Sequence, residues 1–175
     1  MTELENKMYL DIESLGNAEG FLDDILENID AIKLFEGFNA DELKALCHFM
    51  HCYAAPRDYV LFEEGGDGDF LVLILTGEVS VVKLVPGHGV EQIAQVEAGA
   101  SLGELSLLDG RPRFATCITK TPADFAVLTR TSLNELLIHY PRLANKLLLV
   151  LLQIMTVRMR ETTDSFLPIV YNSAP

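Results

Sequence analysis

Basic side chains are scarce in this sequence of 175 residues: 13 Lys and Arg stand against 26 Asp and Glu, and the net charge is −13. A nucleic-acid interface needs clustered Lys and Arg for its phosphate contacts, so this charge argues against a nucleic-acid partner. It argues equally against an anionic membrane surface. A small anionic ligand stays open, because one or two local cations and a few backbone N–H groups are enough to hold it.

Cysteine and long apolar runs are scarce as well. Cys47, Cys52 and Cys117 are odd in number and make no disulfide framework, which is typical of a reducing compartment. Residues 1–11 are acidic and lack the apolar segment of a secretory signal. The longest apolar stretch, residues 147–157, is shorter than the about 20 residues that cross a bilayer. We therefore expect a cytoplasmic protein with no membrane partner.

Hydrophobic residues make up 49% of the chain, enough for the core of one domain, and they form three zones. Residues 1 to about 56, and those after about 130, carry apolar side chains at helical steps of three and four. Between them, short apolar runs follow at roughly ten-residue spacing, as in an all-β sandwich or roll. We expect a mostly β fold with flanking helices. The strand candidates are residues 59–62, 70–75, 79–85, 91–96, 113–119 and 124–129.

Local signals mark turns and helix starts. Asn39–Glu42 and Ser132–Glu135 have the form of capping boxes. Pro141 suits the first turn of a last helix that we expect to reach about residue 163. Residues 86–89 indicate a hairpin turn. Residues 102–108, rich in Leu and Glu, predict a single helical turn inside the β zone.

The last predicted helix has apolar side chains on two faces. One stripe runs through Leu147, and the other runs through Leu152 and Met159. Two stripes imply two partners, and we expect these to be the β zone and a second subunit, giving a homodimer. Residues 166–175 are expected to form a loose tail.

The segment around Gly103 has the residues of an anion site. A short helix that starts there would point backbone N–H groups at an anion, and Arg113 can make a two-pronged contact to a phosphate. Glu104 beside that anion makes sense as an acceptor for hydroxyl groups. These residues point to a sugar phosphate, and the alternative is that Glu104 and Arg113 pair with each other in a turn.

Other chemistry has less support. Cys47 with His51, and His48 with Cys52, are four residues apart, but separated pairs typical of structural zinc sites are missing, so we expect no metal. No serine lies in a Gly-x-Ser-x-Gly context, and no Walker-type loop is present. We therefore expect no enzyme and no cofactor.

Two segments resemble a known family. Residues 102–116, Leu-Gly-Glu-Leu-Ser-Leu-Leu followed by Pro112-Arg113 and Ala115-Thr116, closely resemble the phosphate-binding cassette of the cyclic-nucleotide-binding family. That family includes regulatory subunits of cAMP-dependent kinases, bacterial catabolite activator proteins and cyclic-nucleotide-gated channels. Residues 61–79, with glycines at the expected spacings, look like the family's first β-roll hairpins. The resemblance covers residues 30–163.

This resemblance implies an eight-stranded β-roll with helices before and after it. It makes residues 31–165 the nucleotide-binding domain, preceded by an acidic helical extension over residues 1–30. Glu104 would bind the ribose 2′-hydroxyl and Arg113 the exocyclic phosphate oxygens. Backbone N–H groups of the cassette would complete the phosphate cradle, and the residues that supply them are Gly103, Leu105 and Ala115.

The last helix would then form a lid over the base, with Arg158, Met159 and Thr162 as candidate contacts. The chain departs from the family pattern at Leu102, where Phe is common, and at Gly66. It departs most at Phe114, which follows Arg113 at a place that usually holds a small residue. A Thr or Ser there often accompanies cGMP binding, so Phe114 favours cAMP, with cGMP as the second choice.

We therefore expect a cAMP sensor that acts through a protein effector rather than DNA. About a dozen residues follow the last predicted helix, too few for a helix-turn-helix. The alternative is a dimerisation or scaffold module that has kept the roll and lost the nucleotide. Phe114 favours that alternative, and the pair Glu104 and Arg113 argues against it.

Overall fold

The computed structural model describes residues 11–172, with side chains as far as residue 165. Within this part of the chain there are nine strands and five α-helices, joined in places by short 3-10 segments. The strands are β1 (Glu13–Asn17), β2 (His51–Ala55), β3 (Val60–Phe62), β4 (Phe70–Ile74), β5 (Glu78–Val85), β6 (Gly89–Glu97), β7 (Ser101–Leu102), β8 (Thr116–Thr119) and β9 (Ala123–Thr129). The helices are α1 (Leu22–Glu27), α2 (Ala40–Cys47), α3 (Glu104–Asp109), α4 (Arg130–His139) and α5 (Pro141–Asn172).

The strands form two antiparallel sheets. One has the order β1-β2-β9-β4-β7, and the other has the order β3-β8-β5-β6. All six predicted strands are present, and the turn predicted at residues 86–89 joins β5 to β6. The predicted mostly β roll with flanking helices and a long C-terminal helix is confirmed. Strands β1, β2 and β7 were not among the strand candidates, and they join β4 and β9 in the larger sheet.

Strand β4 shows why the two sheets and the helices make one body. All of its residues are buried, because successive side chains point to opposite faces and both faces are covered. Val72 and Ile74 lie in a core cluster between the two sheets. Leu71 and Leu73 lie in a second cluster, which the helices cover.

The N-terminal residues share that second cluster. Ala18 and Ile25 are buried in it together with Leu43 of α2 and Leu147 of α5. The domain boundaries expected near residues 30 and 165 stay predictions. The helical expectation for residues 1 to about 56 was wrong at β1 and at β2, which pair with each other, and its first ten residues lie outside the described part. Strands this short carry little periodicity of their own, and pairing partners distant in sequence decide them.

The predicted capping box at Asn39 is confirmed. The Asn39 side chain accepts from the backbone N–H of Glu42 at 2.9 Å, and the Glu42 carboxylate accepts from the N–H of Asn39 at 2.9 Å. The box predicted at Ser132 was wrong. The cap of helix α4 lies three residues earlier, because Thr129 ends β9 in extended conformation and its hydroxyl accepts from the N–H of Ser132 at 3.0 Å.

Helix α5 is longer than predicted. It continues through Asn172, so the expected loose tail was wrong as far as that residue, and residues 173–175 lie outside the described part. No glycine follows Gly110 in the sequence, so the usual residue for ending a helix is missing. One apolar stripe of α5 is buried, with Leu147 at 0% exposure, whereas Leu152 on the other is 60% exposed. No helix in residues 11–172 has the length and apolar character that a membrane crossing requires.

Candidate functional site

A bend at the end of β7 places helix α3. Gly103 precedes the helix with φ of 82°, and Gly110 follows it with φ of 71°. This confirms the predicted helical turn inside the β zone. A Cβ atom on Gly103 would lie 2.4 Å from Nη1 of Arg113, so only glycine leaves room for the guanidinium here.

Arg113 is buried at 2% exposure. Its Nη1 donates to the carbonyl oxygens of Phe70 at 2.8 Å and of Gly103 at 3.1 Å. Its guanidinium carbon lies 4.1 Å from the ring centroid of Phe70 and 4.2 Å from that of Phe62. These contacts hold the cation in one orientation and leave it little rotational freedom.

The two family-like segments meet at Arg113. Its backbone N–H donates to Gly66 at 2.8 Å, and its carbonyl accepts from the N–H of Gly65 at 2.9 Å. A Cβ atom on Gly68 would lie 2.2 Å from that of Ser106 and 3.0 Å from Nε of Arg113. Gly68 is therefore needed for the close approach of the first segment to the second, a role that its spacing alone does not reveal.

Glu104 is also buried, at 3% exposure. Its Oε1 accepts hydrogen bonds from the Ser101 hydroxyl and, at 3.0 Å, from Nη1 of Arg158. Nη2 of Arg158 donates to the carbonyl of Ser101 at 2.7 Å. The buried carboxylate therefore has a cation supplied by α5, and this pair links α5 to the roll.

A cavity of about 720 Å³ lies between the cassette and α5, within the about 300–1,000 Å³ typical of small-molecule sites. The structure brings every predicted site residue to its walls. These residues are Leu102, Gly103, Glu104, Leu105, Arg113, Phe114, Ala115, Arg158, Met159 and Thr162. The remaining walls are mostly apolar and include Phe62, Leu152 and Met155.

Exposure differs sharply around these walls. Leu102 and Ala115 are each 6% exposed, whereas Phe114 is 58% and Met159 63% exposed. The Phe114 ring lies 4.0 Å from Nζ of Lys83. The bulky residue that departs from the family pattern is thus more than half exposed and lies against Lys83.

Arg130 was not among the residues predicted from the sequence. At the start of α4, its N–H donates to the carbonyl of Asp69 and its Nη2 to that of Ser106, each at 2.6 Å. It therefore ties α4 to the cassette helix and to the loop before β4. An Arg directly after a strand carries no local signal for this role, because its partners are distant in sequence.

The cysteines and histidines make no reactive centre. Burial raises the pKa of Cys117, which lines the cavity, to about 12, and that of Cys47 and Cys52 also to about 12. A thiol with such a pKa is protonated at neutral pH and is a poor nucleophile. Helix α2 ends at Cys47, so the helical spacing to His51 is lost, and no metal-binding group of His, Cys, Asp and Glu occurs in the described residues.

Comparison with known proteins agrees with this geometry. The sequence profile of the cyclic nucleotide-binding domain matches residues 54–140. A cyclic nucleotide-binding domain from Methylobacillus flagellatus KT is 51% identical, with 93% of this chain and 91% of that chain covered and a TM-score of 0.84. The regulatory domain of Toxoplasma gondii PKA with cAMP is 27% identical, with 67% of this chain and 44% of that chain covered and a TM-score of 0.59.

A CRP-like cAMP-activated global transcriptional regulator from Mycobacterium tuberculosis is 27% identical over 81% of this chain. The chain spans 62% of that regulator's length. The match to the Methylobacillus domain covers nearly all of both chains at high identity. The chain therefore belongs to the cyclic nucleotide-binding domain family.

Proposed function

We propose that the chain binds cAMP in the cavity between the cassette and α5. The observation that carries this proposal is that Glu104 and Arg113, a carboxylate and a cation, are both buried and both line this cavity. A cyclic nucleotide carries the two complementary groups, a ribose hydroxyl that can donate to the carboxylate and a phosphate that can accept from the guanidinium.

In this proposal the phosphate lies at the buried end of the cavity. Arg113 binds the exocyclic oxygens, and the backbone N–H groups of Gly103, Leu105 and Ala115 face the same anion. Glu104 accepts from the ribose 2′-hydroxyl beside its contact with Arg158. Two relatives support cAMP as the ligand, since one is named as cAMP-activated and the other was solved with cAMP. Phe114 lacks the hydroxyl that would favour cGMP.

The output is a movement of α5 and not a chemical reaction. Arg158, Met159 and Thr162 lie on the lid side of the cavity, so a bound base would favour one position of this helix. We propose that a protein effector reads that position in the cytoplasm, where the three free cysteines stay reduced. The exposed stripe of α5 is the surface proposed for a homodimer.

Isothermal titration of the purified chain with cAMP and with cGMP tests the proposal. We expect binding of cAMP, weaker binding of cGMP, and loss of both in Arg113→Ala. Arg111→Ala is the matched control, because Arg111 lies two residues away with its side chain 84% exposed. The absence of heat and of thermal protection with millimolar nucleotide would overturn the proposal.

A second candidate is a dimerisation or scaffold module without nucleotide. The observation that favours it is the apolar surface of α5, where Leu149, Leu152 and Met159 are each more than half exposed. Light scattering with and without cAMP separates the two candidates. A stable dimer that neither binds nor responds to nucleotide would favour the scaffold, and a monomer at high concentration would exclude it.

A further inference from the structure

Two aromatic residues, Phe62 and Phe114, are among the described residues that line the cavity. The Phe62 ring is already packed against other residues, because it lies 4.2 Å from the Arg113 guanidinium carbon and edge-on to Phe70. Phe114 is 58% exposed and remains the aromatic surface that a flat ligand group can reach.

Lys83 holds this exposed ring in place. Its Nζ lies 4.0 Å from the Phe114 ring centroid and donates to the Phe114 carbonyl at 2.5 Å. One ammonium group therefore fixes both the backbone and the ring of the same residue. Lys83 is not among the residues that line the cavity, so it acts from behind the ring.

Glu64 in turn anchors Lys83. Its Oε1 accepts from Lys83 Nζ at 2.7 Å, and its Oε2 accepts from the backbone N–H of Leu84 at 2.9 Å. The Leu84 N–H, followed by Lys83, lowers the pKa of the Glu64 carboxyl, so Glu64 stays charged beside the ammonium. The three residues connect the loop before β4, strand β5 and the end of the cassette.

We propose that Phe114 is the platform on which the purine base stacks, and that Lys83 is the positioning residue that presents its ring. This rests on the proposed function, since it names the base contact of the same site. Bases stack on aromatic side chains through their π-faces, and a ring that is already held loses less freedom on binding. In this proposal Phe114, which departs from the family pattern, increases the affinity for the base.

Two ligands distinguish the contribution of the base to affinity from that of the phosphate. One is cAMP, and the other is a methyl riboside 3′,5′-cyclic phosphate, which has no base. We expect Phe114→Ala to weaken cAMP by at least about fivefold, the low end for base stacking, and to leave the abasic ligand within about twofold. Lys83→Met should weaken cAMP by about two- to fivefold, in the range of an exposed cation–π contact. Lys83→Arg should restore cAMP affinity.

Leu84→Ala and Lys44→Met are the controls, because both side chains are exposed and neither lines the cavity. Equal losses for cAMP and the abasic ligand in Phe114→Ala, or no loss of cAMP, would overturn this proposal alone. In the double variant Lys83→Met, Phe114→Ala, the loss should equal that of Phe114→Ala, and additive losses would overturn the role of Lys83. A wild-type chain that binds neither ligand overturns the proposed function together with this inference.

Discussion

The two walls of the cavity are built in opposite ways. On the roll side, Arg113 is 2% exposed and is held by two carbonyls and two aromatic rings. On the helix side, the Arg158 side chain is 43% exposed and reaches the roll through Glu104 and Ser101. The Arg113 wall is therefore preformed by packing, whereas α5 meets the roll at Arg158 through a half-exposed contact that water can replace.

The same contrast divides α5 along its length. Near its start, Leu147 and Leu151 are fully buried, and Lys146 donates to Glu42 of α2 at 2.5 Å. Beyond Leu151 the described side chains are exposed or half-buried. Helix α5 is thus packed into the core near its start and exposed over its later half, and a segment with few buried contacts is the kind that opens locally most easily.

The largest effect on the free energy of unfolding is expected at the buried start of α5. We expect Leu147→Ala to lower the free energy of unfolding by about 2–5 kcal/mol, because it leaves a cavity in the core. Leu149→Ala, two residues along and 62% exposed, should change it by less than about 0.5 kcal/mol. Urea denaturation of both variants measures the two free energies of unfolding. Similar losses would contradict the contrast between buried and exposed positions of α5.

The preformed wall is tested at Gly103. Gly103→Ala places a side chain at φ of 82°, which costs about 1–3 kcal/mol, and its Cβ also displaces the Arg113 guanidinium. Gly87→Ala is the matched control, since Gly87 has the same φ of 82° with nothing within 4 Å. We expect both variants to lose stability and Gly103→Ala alone to lose cAMP binding by titration. Equal binding in the two would contradict the role of this glycine.

The lid contact is expected to give the smallest effect on stability. Arg158→Met should lower the free energy of unfolding by about 1 kcal/mol or less, because the half-exposed cation is screened by water. Hydrogen exchange of the backbone over residues 152–165 should become faster, since the contact to Glu104 and Ser101 is lost. Arg160→Met, at an exposed position of the same helix, should leave the exchange unchanged. Unchanged exchange in Arg158→Met would show that packing alone holds the lid.

Much of the fold was predictable because its signals are local. The glycine-separated apolar runs, the hairpin at residues 86–89 and the capping box at Asn39 depend on neighbours a few residues apart. Strand β1 was missed because its partner β2 is distant in sequence. The start of α4 was misplaced for a related reason, since the end of β9 decides that Thr129 caps the helix.

In the candidate site, too, the residues set by local motifs were predictable and those set by distant contacts were not. Every residue selected from the cassette and the last helix lines the cavity, because motif spacing sets their positions on the roll. Their partners Ser101, Lys83 and Arg130 were not found. Each acts through a contact made on folding, such as the one from Arg130 to Ser106.

Residue types and their spacing were enough to predict the family, the series of hydrophobic strand segments, and the occurrence of Glu104 and Arg113 in one short segment. The packing of the folded chain was needed to show that Arg158 pairs with Glu104, that Lys83 lies over the Phe114 ring, and that α5 is buried near its start and exposed beyond Leu151. Those outcomes depend on which side chains meet in space, and contacts between distant residues are set by the packing of the whole chain.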